Sequence, residues 1–150
     1  MKRSGQLSVS LHVLLHMAQR DEALTSEQMA ACAGTHAVVI RRTFGRLREA
    51  GIVSSVKGHG GGWRLARPAA EISLADVQSA LGERIFHLAA ETPGCLVEHA
   101  VHRALDAAMD EANQLLERRF ASITLADLAA DVGEAYSQHF PHHESSHPSA

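Results

Sequence analysis

A stretch of four glycines within five residues, between Gly58 and Gly62, most constrains the fold of this chain. Glycine reaches positive φ angles at little cost, so the stretch is suited to a tight turn. The flanking runs, residues 52–57 and 63–66, are short and contain β-branched or aromatic side chains, which is typical of strands. The sequence therefore predicts a β-hairpin with a glycine tip, which ends before Pro68.

Three helix patterns precede this hairpin. Apolar residues between positions 7 and 18 recur at the spacing of one helix face. Thr25 and Gln28 form a capping-box pattern, so we expect a short second helix that ends at Gly34. Thr35 is then expected to cap a third helix. Three helices followed by a hairpin is the element order of a winged helix-turn-helix.

The rest of the chain predicts further helices. The segments 73–76 and 124–127 are similar helix starts, each with a hydroxyl cap and an aspartate three residues later. Residues 97–120 form the longest pattern, a helix of about 36 Å. Its apolar positions step by four and three residues, which is typical of a seam between two helices and predicts a homodimer interface. These positions are Val101, Leu105, Ala108, Ala112 and Leu115.

The predicted fold is mainly α with a small β-hairpin: a winged helix-turn-helix followed by a long dimerisation helix. We divide the chain into a DNA-binding domain at residues 1–70, a helical linker and dimerisation region at 71–135, and a disordered, histidine-containing tail at 136–150.

Charge is divided unevenly between the two halves. Residues 1–70 contain ten Lys and Arg against four Asp and Glu, a formal charge of +6. Residues 71–150 contain four against thirteen, a formal charge of −9. The net charge of −3 hides this division. A basic first half indicates that this half alone contacts a polyanion such as duplex DNA.

The third helix carries four arginines within eight residues. In a helix-turn-helix the start of this helix enters the major groove, where the arginine fork matches guanine O6 and N7. The alternative is a solvated helix face with local ion pairs. The glycine hairpin lacks the Gly-Lys-Ser/Thr of a nucleotide loop, so we interpret it as a wing that contacts DNA. The expected DNA contacts are Thr35, His36, Val38, Arg41, Arg42 and Arg46 in the helix, and Lys57, His59, Gly60 and Arg64 in the wing.

Several motifs together resemble the Rrf2 family of bacterial winged-helix regulators, which includes the iron–sulfur regulator IscR and the nitric-oxide sensor NsrR. The motifs lie at residues 28–30, 38–42, 47–53, 56–68, 72–77 and 124–128. The Val-Val-Ile-Arg-Arg run and a single late cysteine are most similar to the YwnA-like subgroup. The resemblance implies a homodimeric transcriptional repressor on a palindromic operator.

Iron–sulfur members of that family use three clustered cysteines before the long helix, whereas this chain has one there, Cys95. An iron–sulfur cluster is therefore not expected. Cys95 follows Gly94 at a helix start, where the helix dipole stabilises a thiolate, so we interpret it as a candidate redox sensor. Cys95, His99 and His102 also share one helix face, an alternative ligand set for zinc or iron. A half-buried thiol beside solvated histidines is the third interpretation.

The remaining candidate ligands favour simpler interpretations. Cys32 lies among small residues and is expected to be packed, while His12 and His16 are expected to pack or face solvent. No apolar run approaches the roughly 20 residues of a membrane span, and no hydrolase, metalloprotease or Walker motif occurs. Two cysteines suit a reducing compartment. We expect a cytoplasmic protein that is not an enzyme and has no membrane partner. The alternative is a winged-helix protein-interaction module without DNA binding.

Overall fold

The computed structural model describes residues 5–59, 61–82, 84–87 and 94–139, with the backbone alone at 134–139. Three helices, a hairpin and three more helices follow one another along the chain. They are α1 (Gly5–Ala18), α2 (Ser26–Ala33), α3 (Ala37–Glu49), β1 (Val53–Val56), β2 (Gly62–Leu65), α4 (Leu74–Leu81), α5 (Leu96–Ala121) and α6 (Leu125–His139). The predicted fold class is confirmed.

Local capping chemistry sets the start and end of α2. The Thr25 hydroxyl accepts a hydrogen bond from the Gln28 backbone N–H, and the Gln28 side chain accepts one from the Thr25 N–H, as predicted. Gly34 ends the helix with a φ of 64°. Thr35, which we expected to cap α3, instead donates its backbone N–H to Ala30 at 3.0 Å and so completes the end of α2. The N-cap of α3 is His36, and its side chain makes no capping bond.

The core of the helix-turn-helix lies where α1, α2 and α3 meet. Ile40, Phe44 and Leu47 are fully buried on one face of α3, as predicted, whereas Val39 is only partly buried. Three positions on one face of α3 are thus fixed against the core, and the opposite face of the helix is left for solvent or a ligand.

The hairpin is attached to the helix-turn-helix through its second strand. Trp63 exchanges two backbone hydrogen bonds with Leu24, at 3.0 and 2.8 Å. Its indole Nε1 donates to the Ser26 hydroxyl at 3.1 Å, and its ring packs edge-on against Phe44. Gly62, with a φ of 140°, lies so close to the Leu24 carbonyl that a Cβ there would overlap it. The base of the wing is therefore held rigidly against α2 and α3.

The two similar helix starts lie side by side. Leu74 N–H donates to the Ile123 carbonyl and Leu125 N–H donates to the Ile72 carbonyl, each at 2.9 Å. This exchange joins the start of α4 to the start of α6, which packs against α1. Hydrogen bonds from Thr124 stabilise the Asp127 carboxylate and lower its pKa. Helix α6 continues to His139, so residues 136–139, which we assigned to the tail, are helical; residues 140–150 lie outside the described part of the chain.

Helix α5 has 26 residues, close to the predicted range. Near its middle, the Asn113 amide donates to the Phe86 carbonyl at 2.8 Å and accepts from the Phe86 N–H at 3.2 Å. Arg84 and Asp110 form an ion pair at 2.9 Å. These contacts fix α5 to the segment after α4, while most of its remaining surface is exposed.

Candidate nucleic-acid interface

The exposed face of α3 combines apolar and cationic side chains. Val38 is 68% exposed at the first turn, and Arg41 and Arg42 follow one turn later. Residues three and four positions apart share a helix face, so these three side chains lie together. An exposed valine can contact a thymine methyl group, and arginine can bind guanine or phosphate. This face therefore carries side chains of the kinds that can read base edges.

The four arginines of α3 differ in their protein contacts. Arg42 makes no hydrogen bond or ion pair with any residue that the structure describes. Arg41 is paired with Glu27 of α2 at 3.0 Å, and both side chains are more than half exposed. Such exposed pairs contribute little stability, so Arg41 can exchange Glu27 for a phosphate at small cost.

The other two arginines have contacts inside the fold. Arg46 donates to the Leu81 carbonyl at the end of α4, at 3.0 Å. The guanidinium of Arg48 lies 6.0 Å from the Trp63 ring centre, within cation–π range. Arg46, which we expected at the DNA, is thus held by α4 in the unbound chain, and its role in DNA contact stays a prediction.

The remaining predicted DNA contacts flank this face. His36 is exposed at the N-terminus of α3 and Thr35 is half-buried beside it. In the wing, Lys57, His59 and Arg64 are all exposed, with Arg64 opposite Ser54 in the hairpin. Gly60 lies outside the described residues. The structure therefore presents two sets of cations, one on α3 and one on the wing that is anchored beside it.

Cys95 is the N-cap of α5, at the helix start where the sequence placed it. It is exposed, so the interpretation as a half-buried thiol was wrong. Its Sγ accepts a hydrogen bond from the Glu98 N–H at 3.5 Å. The Glu98 carboxylate in turn accepts from the N–H groups of Gly94 and Cys95, at 2.6 and 3.2 Å. The thiol is thus accessible to small reactants and lies at a helix N-terminus.

The structure does not bring Cys95, His99 and His102 together as a compact group. His102 Nδ1 instead lies 3.6 Å from the Asp106 carboxylate, one turn further along α5. This ligand set stays a prediction without support from side-chain proximity.

Another group of metal-ligating side chains does come together within the described residues: His12 and His16 of α1 with Cys32 of α2. Cys32 is exposed, so our interpretation of it as a packed residue was wrong. The reason is its position on α2, whose buried side chains are Ser26, Met29 and Ala30. Burial, and then the charges of His12 and Arg20, lower the pKa of His16, which favours its neutral imidazole. Spacing along α1 indicated the histidine pair, but no local signal indicated that a cysteine 20 residues away joins it.

The predicted seam on α5 is largely uncovered within one chain. Val101, Leu105 and Leu115 are 54%, 44% and 62% exposed, Ala108 is exposed and Ala112 is half-buried. A row of apolar side chains in solvent is typical of an interaction surface.

Known proteins are similar to this chain in both sequence and fold. A model of the Rrf2 family, described as iron-dependent transcriptional regulators, matches residues 3–131. YwnA of Bacillus subtilis (strain 168), a candidate HTH-type transcriptional regulator, is 31% identical over 128 residues, which cover 83% of this chain and 95% of YwnA. A crystal structure of a candidate DNA-binding protein is 31% identical with a TM-score of 0.66, covering 82% of this chain and 97% of that chain. IscR of T. potens is 25% identical with a TM-score of 0.63 over 90% of each chain.

These relatives are transcriptional regulators, which confirms the expectation that this protein is not an enzyme. Among the described helices, none is both long and apolar enough to cross a membrane. The motifs of the wing and α3, the observed fold and the match over nearly the whole chain agree. The chain belongs to the Rrf2 family of DNA-binding, winged-helix transcriptional regulators.

Proposed function

We propose that this protein is a cytoplasmic, sequence-specific repressor that binds a palindromic operator as a homodimer and responds to oxidants through Cys95. The observation that carries the DNA-binding part is the exposed face of α3, where Val38 lies beside Arg42, a cation without a protein partner among the described residues. Because Arg42 has no such partner, it can bind a base or a phosphate without breaking a contact within the described part of the protein.

In this proposal α3 enters the major groove with its N-terminal half. Val38 contacts a thymine methyl group and Arg42 binds a guanine, while Arg41 leaves Glu27 for the DNA. Lys57, His59 and Arg64 of the wing contact the neighbouring backbone or minor groove. Because Trp63 ties the wing to α2, the helix and the wing dock as one unit.

The seam on α5 supports the dimeric part of the proposal. A second copy is the partner best suited to cover this row of residues, because a two-fold dimer places the same apolar surface on both subunits. Two recognition helices related by that axis require half-sites about one helical turn apart.

Cys95 supports the sensing part, because it is an exposed thiol at the N-terminus of the proposed dimerisation helix. A peroxide would convert the thiolate to a sulfenic acid and place a polar group beside that helix. A shift of α5 changes the spacing between two recognition helices, which lowers operator affinity.

The family is described as iron-dependent, which suggests an iron–sulfur cluster. The cysteines and histidines of this chain do not fit such a cluster. Such a cluster needs four protein ligands, of which at least two are thiolates. The chain has two cysteines, and they lie on different elements, Cys32 on α2 and Cys95 before α5. The described group of metal-ligating side chains contains one thiol.

Selection of bound genomic fragments with the purified chain tests the proposal. We expect an imperfect palindrome among fragments recovered under reducing conditions, and fewer fragments after treatment with peroxide. For the selected site, log K should fall with log salt concentration at a slope of about −0.9 per phosphate contact. Affinity that depends on neither salt nor sequence contradicts the proposal.

A further inference from the structure

We propose that His12, His16 and Cys32 form a binding site for a single zinc ion at the junction of α1 and α2. One ligand atom from each residue lies within 4.8 Å of the other two. Nε2 of His12 is 3.3 Å from Sγ of Cys32, and the two imidazole rings are 4.8 Å apart between centroids. The group is separate from the α3 face, the wing and Cys95.

The distance between His12 and Cys32 is close to the ligand spacing of a tetrahedral zinc site. Zinc binds imidazole nitrogen at about 2.0–2.1 Å and thiolate sulfur at about 2.3 Å, which places the nitrogen and sulfur about 3.6 Å apart at a tetrahedral angle. The observed 3.3 Å between His12 and Cys32 is within a few tenths of an ångström of that spacing. The ligand atom of His16 lies within 4.8 Å of the other two, so binding one ion requires a side-chain rotation that brings it closer to them.

The backbone positions also fit. His12 and His16 are four residues apart on α1, so they lie one above the other on one helix face, as in known helical zinc-binding pairs. Cys32 comes from α2, which packs against α1, and supplies the third ligand from a second direction. Ligands from two helices hold an ion more rigidly than two histidines on one helix.

The chemistry of the donors selects the ion. Two imidazoles and one thiolate suit zinc and other transition metals, whereas magnesium and calcium require oxygen ligands. Three protein ligands leave a fourth position for water. A cavity of about 160 Å³ borders two of the ligands, His16 and Cys32, and Met29 also lines it. Arg20 also lines this cavity, and it is exposed to solvent.

A zinc ion at this position would link α1 to α2 directly. Helix α2 packs against α3 and carries Glu27, the partner of Arg41. The ion would therefore stabilise the element that supports the recognition helix.

Metal binding by the full chain tests the site. The protein is freed of metal by dialysis against a chelator and then titrated with Zn²⁺ in competition with a chromophoric chelator. We expect one tightly bound ion per chain. Loss of an outer hydrogen-bonding partner typically weakens metal binding by about 10–100-fold, so Cys32→Ser and His16→Ala, which remove ligands, should weaken it at least as much.

Cobalt substitution identifies the ligands. Co²⁺ should give a sulfur-to-metal charge-transfer band and the visible spectrum of a tetrahedral ion, both absent in Cys32→Ser. Cys95→Ser and His87→Ala are matched controls, because both residues are exposed and lie outside the group. Each should bind like the wild type, with thermal melts used to confirm that all variants are folded.

Three results would overturn the proposal. Zinc affinity unchanged in Cys32→Ser excludes this thiol as a ligand. A charge-transfer band lost in Cys95→Ser instead would assign the ion to Cys95, His99 and His102. Cobalt bound without any charge-transfer band would assign it to histidines alone, including those of the C-terminal segment, which contains no cysteine.

Discussion

At the scale of single residues, Ser10 is the least satisfied position in the described core. Its hydroxyl is fully buried on α1 and has no hydrogen-bond partner among the residues that the structure describes. Ser10→Ala removes this unpaired group, so we expect the free energy of unfolding to rise by about 1 kcal/mol in urea titrations. Ser26→Ala is the contrasting variant, because it leaves the buried Trp63 N–H without its acceptor and should lower stability by about 1–3 kcal/mol. A loss of stability in Ser10→Ala would mean that its hydroxyl is bonded after all.

Two glycines should respond in opposite ways to alanine. Gly45 is half-buried on α3, and a Cβ added there would meet no atom within 4 Å, so Gly45→Ala should stabilise the fold by about 0.5–1 kcal/mol. Gly62 has a positive φ and faces the Leu24 carbonyl, so Gly62→Ala should destabilise it by more than that amount. Thermal unfolding of both variants measures the difference. Gly45 shares the helix face of Arg41 and Arg42, and a stabilised Gly45→Ala protein that binds DNA less well would indicate close approach of DNA at this position.

At the scale of elements, Arg41 and Arg42 in the N-terminal half of α3 test whether this helix docks in the major groove of DNA. Arg42→Ala should cost about 1–3 kcal/mol of binding free energy and relax the preference at one base pair. Arg41→Ala should cost less binding free energy. In the wild type Arg41 must break its ion pair with Glu27 to reach the DNA, which offsets part of what it contributes. Arg118→Ala, at the end of α5, is the control and should leave affinity unchanged. Unchanged affinity and preference in both α3 variants would mean that this face does not dock in the groove.

Features that depend on residues close together in the sequence were predictable from it. The capping pairs Thr25–Gln28 and Ser73–Asp76 form as expected, because each involves residues three positions apart. The hairpin and the long helix also lie close to their predicted bounds. Periodicity and capping are local properties, so one sequence locates most of them. The cap of α3 is the exception, because it is His36 and not the predicted Thr35.

Contacts between distant residues were not predictable in this way. The hydrogen bond from Arg46 to Leu81 spans 35 positions, and the approach of Cys32 to His12 spans 20. Both depend on how helices pack, which helical periodicity alone does not determine. The interpretation of Cys32 as a core residue failed for this reason, and the contact of Arg46 with α4 had no signal in the sequence.

Oxidation should act on the Cys95 thiol at the N-terminus of α5. We expect peroxide to weaken operator binding by the wild type and to leave Cys95→Ser unaffected, because the serine variant has no thiol there to oxidise. Cys32→Ser is the matched control and should remain sensitive. DNA affinity before and after peroxide, with mass spectrometry of the oxidised thiol, measures this response. A metal-responsive regulator based on Cys95 predicts instead that zinc or iron changes affinity and that His99→Ala removes the change.

At the scale of the whole molecule, the first half of the chain is basic, and the second half is acidic and carries the exposed apolar seam on α5. The first 70 residues carry a formal charge of +6, and the rest carry −9. A negative rear region is repelled by DNA, so the molecule should approach with α3 and the wing first. The same rear region carries the uncovered seam on α5, which places the proposed dimer contact outside the DNA-binding domain.

The dimer contact is tested by a charge at the middle of that seam. Leu105 is 44% exposed, and a glutamate pair facing each other across a two-fold axis would be repulsive and desolvated. We expect Leu105→Glu to sediment as a monomer and to lose operator binding, since one half-site supplies only part of the phosphate and base contacts. Ala107→Glu adds the same charge to an exposed position on another face of α5, and this control should remain dimeric. If Leu105→Glu is a folded dimer that binds the operator normally, the two chains associate through a surface other than this seam.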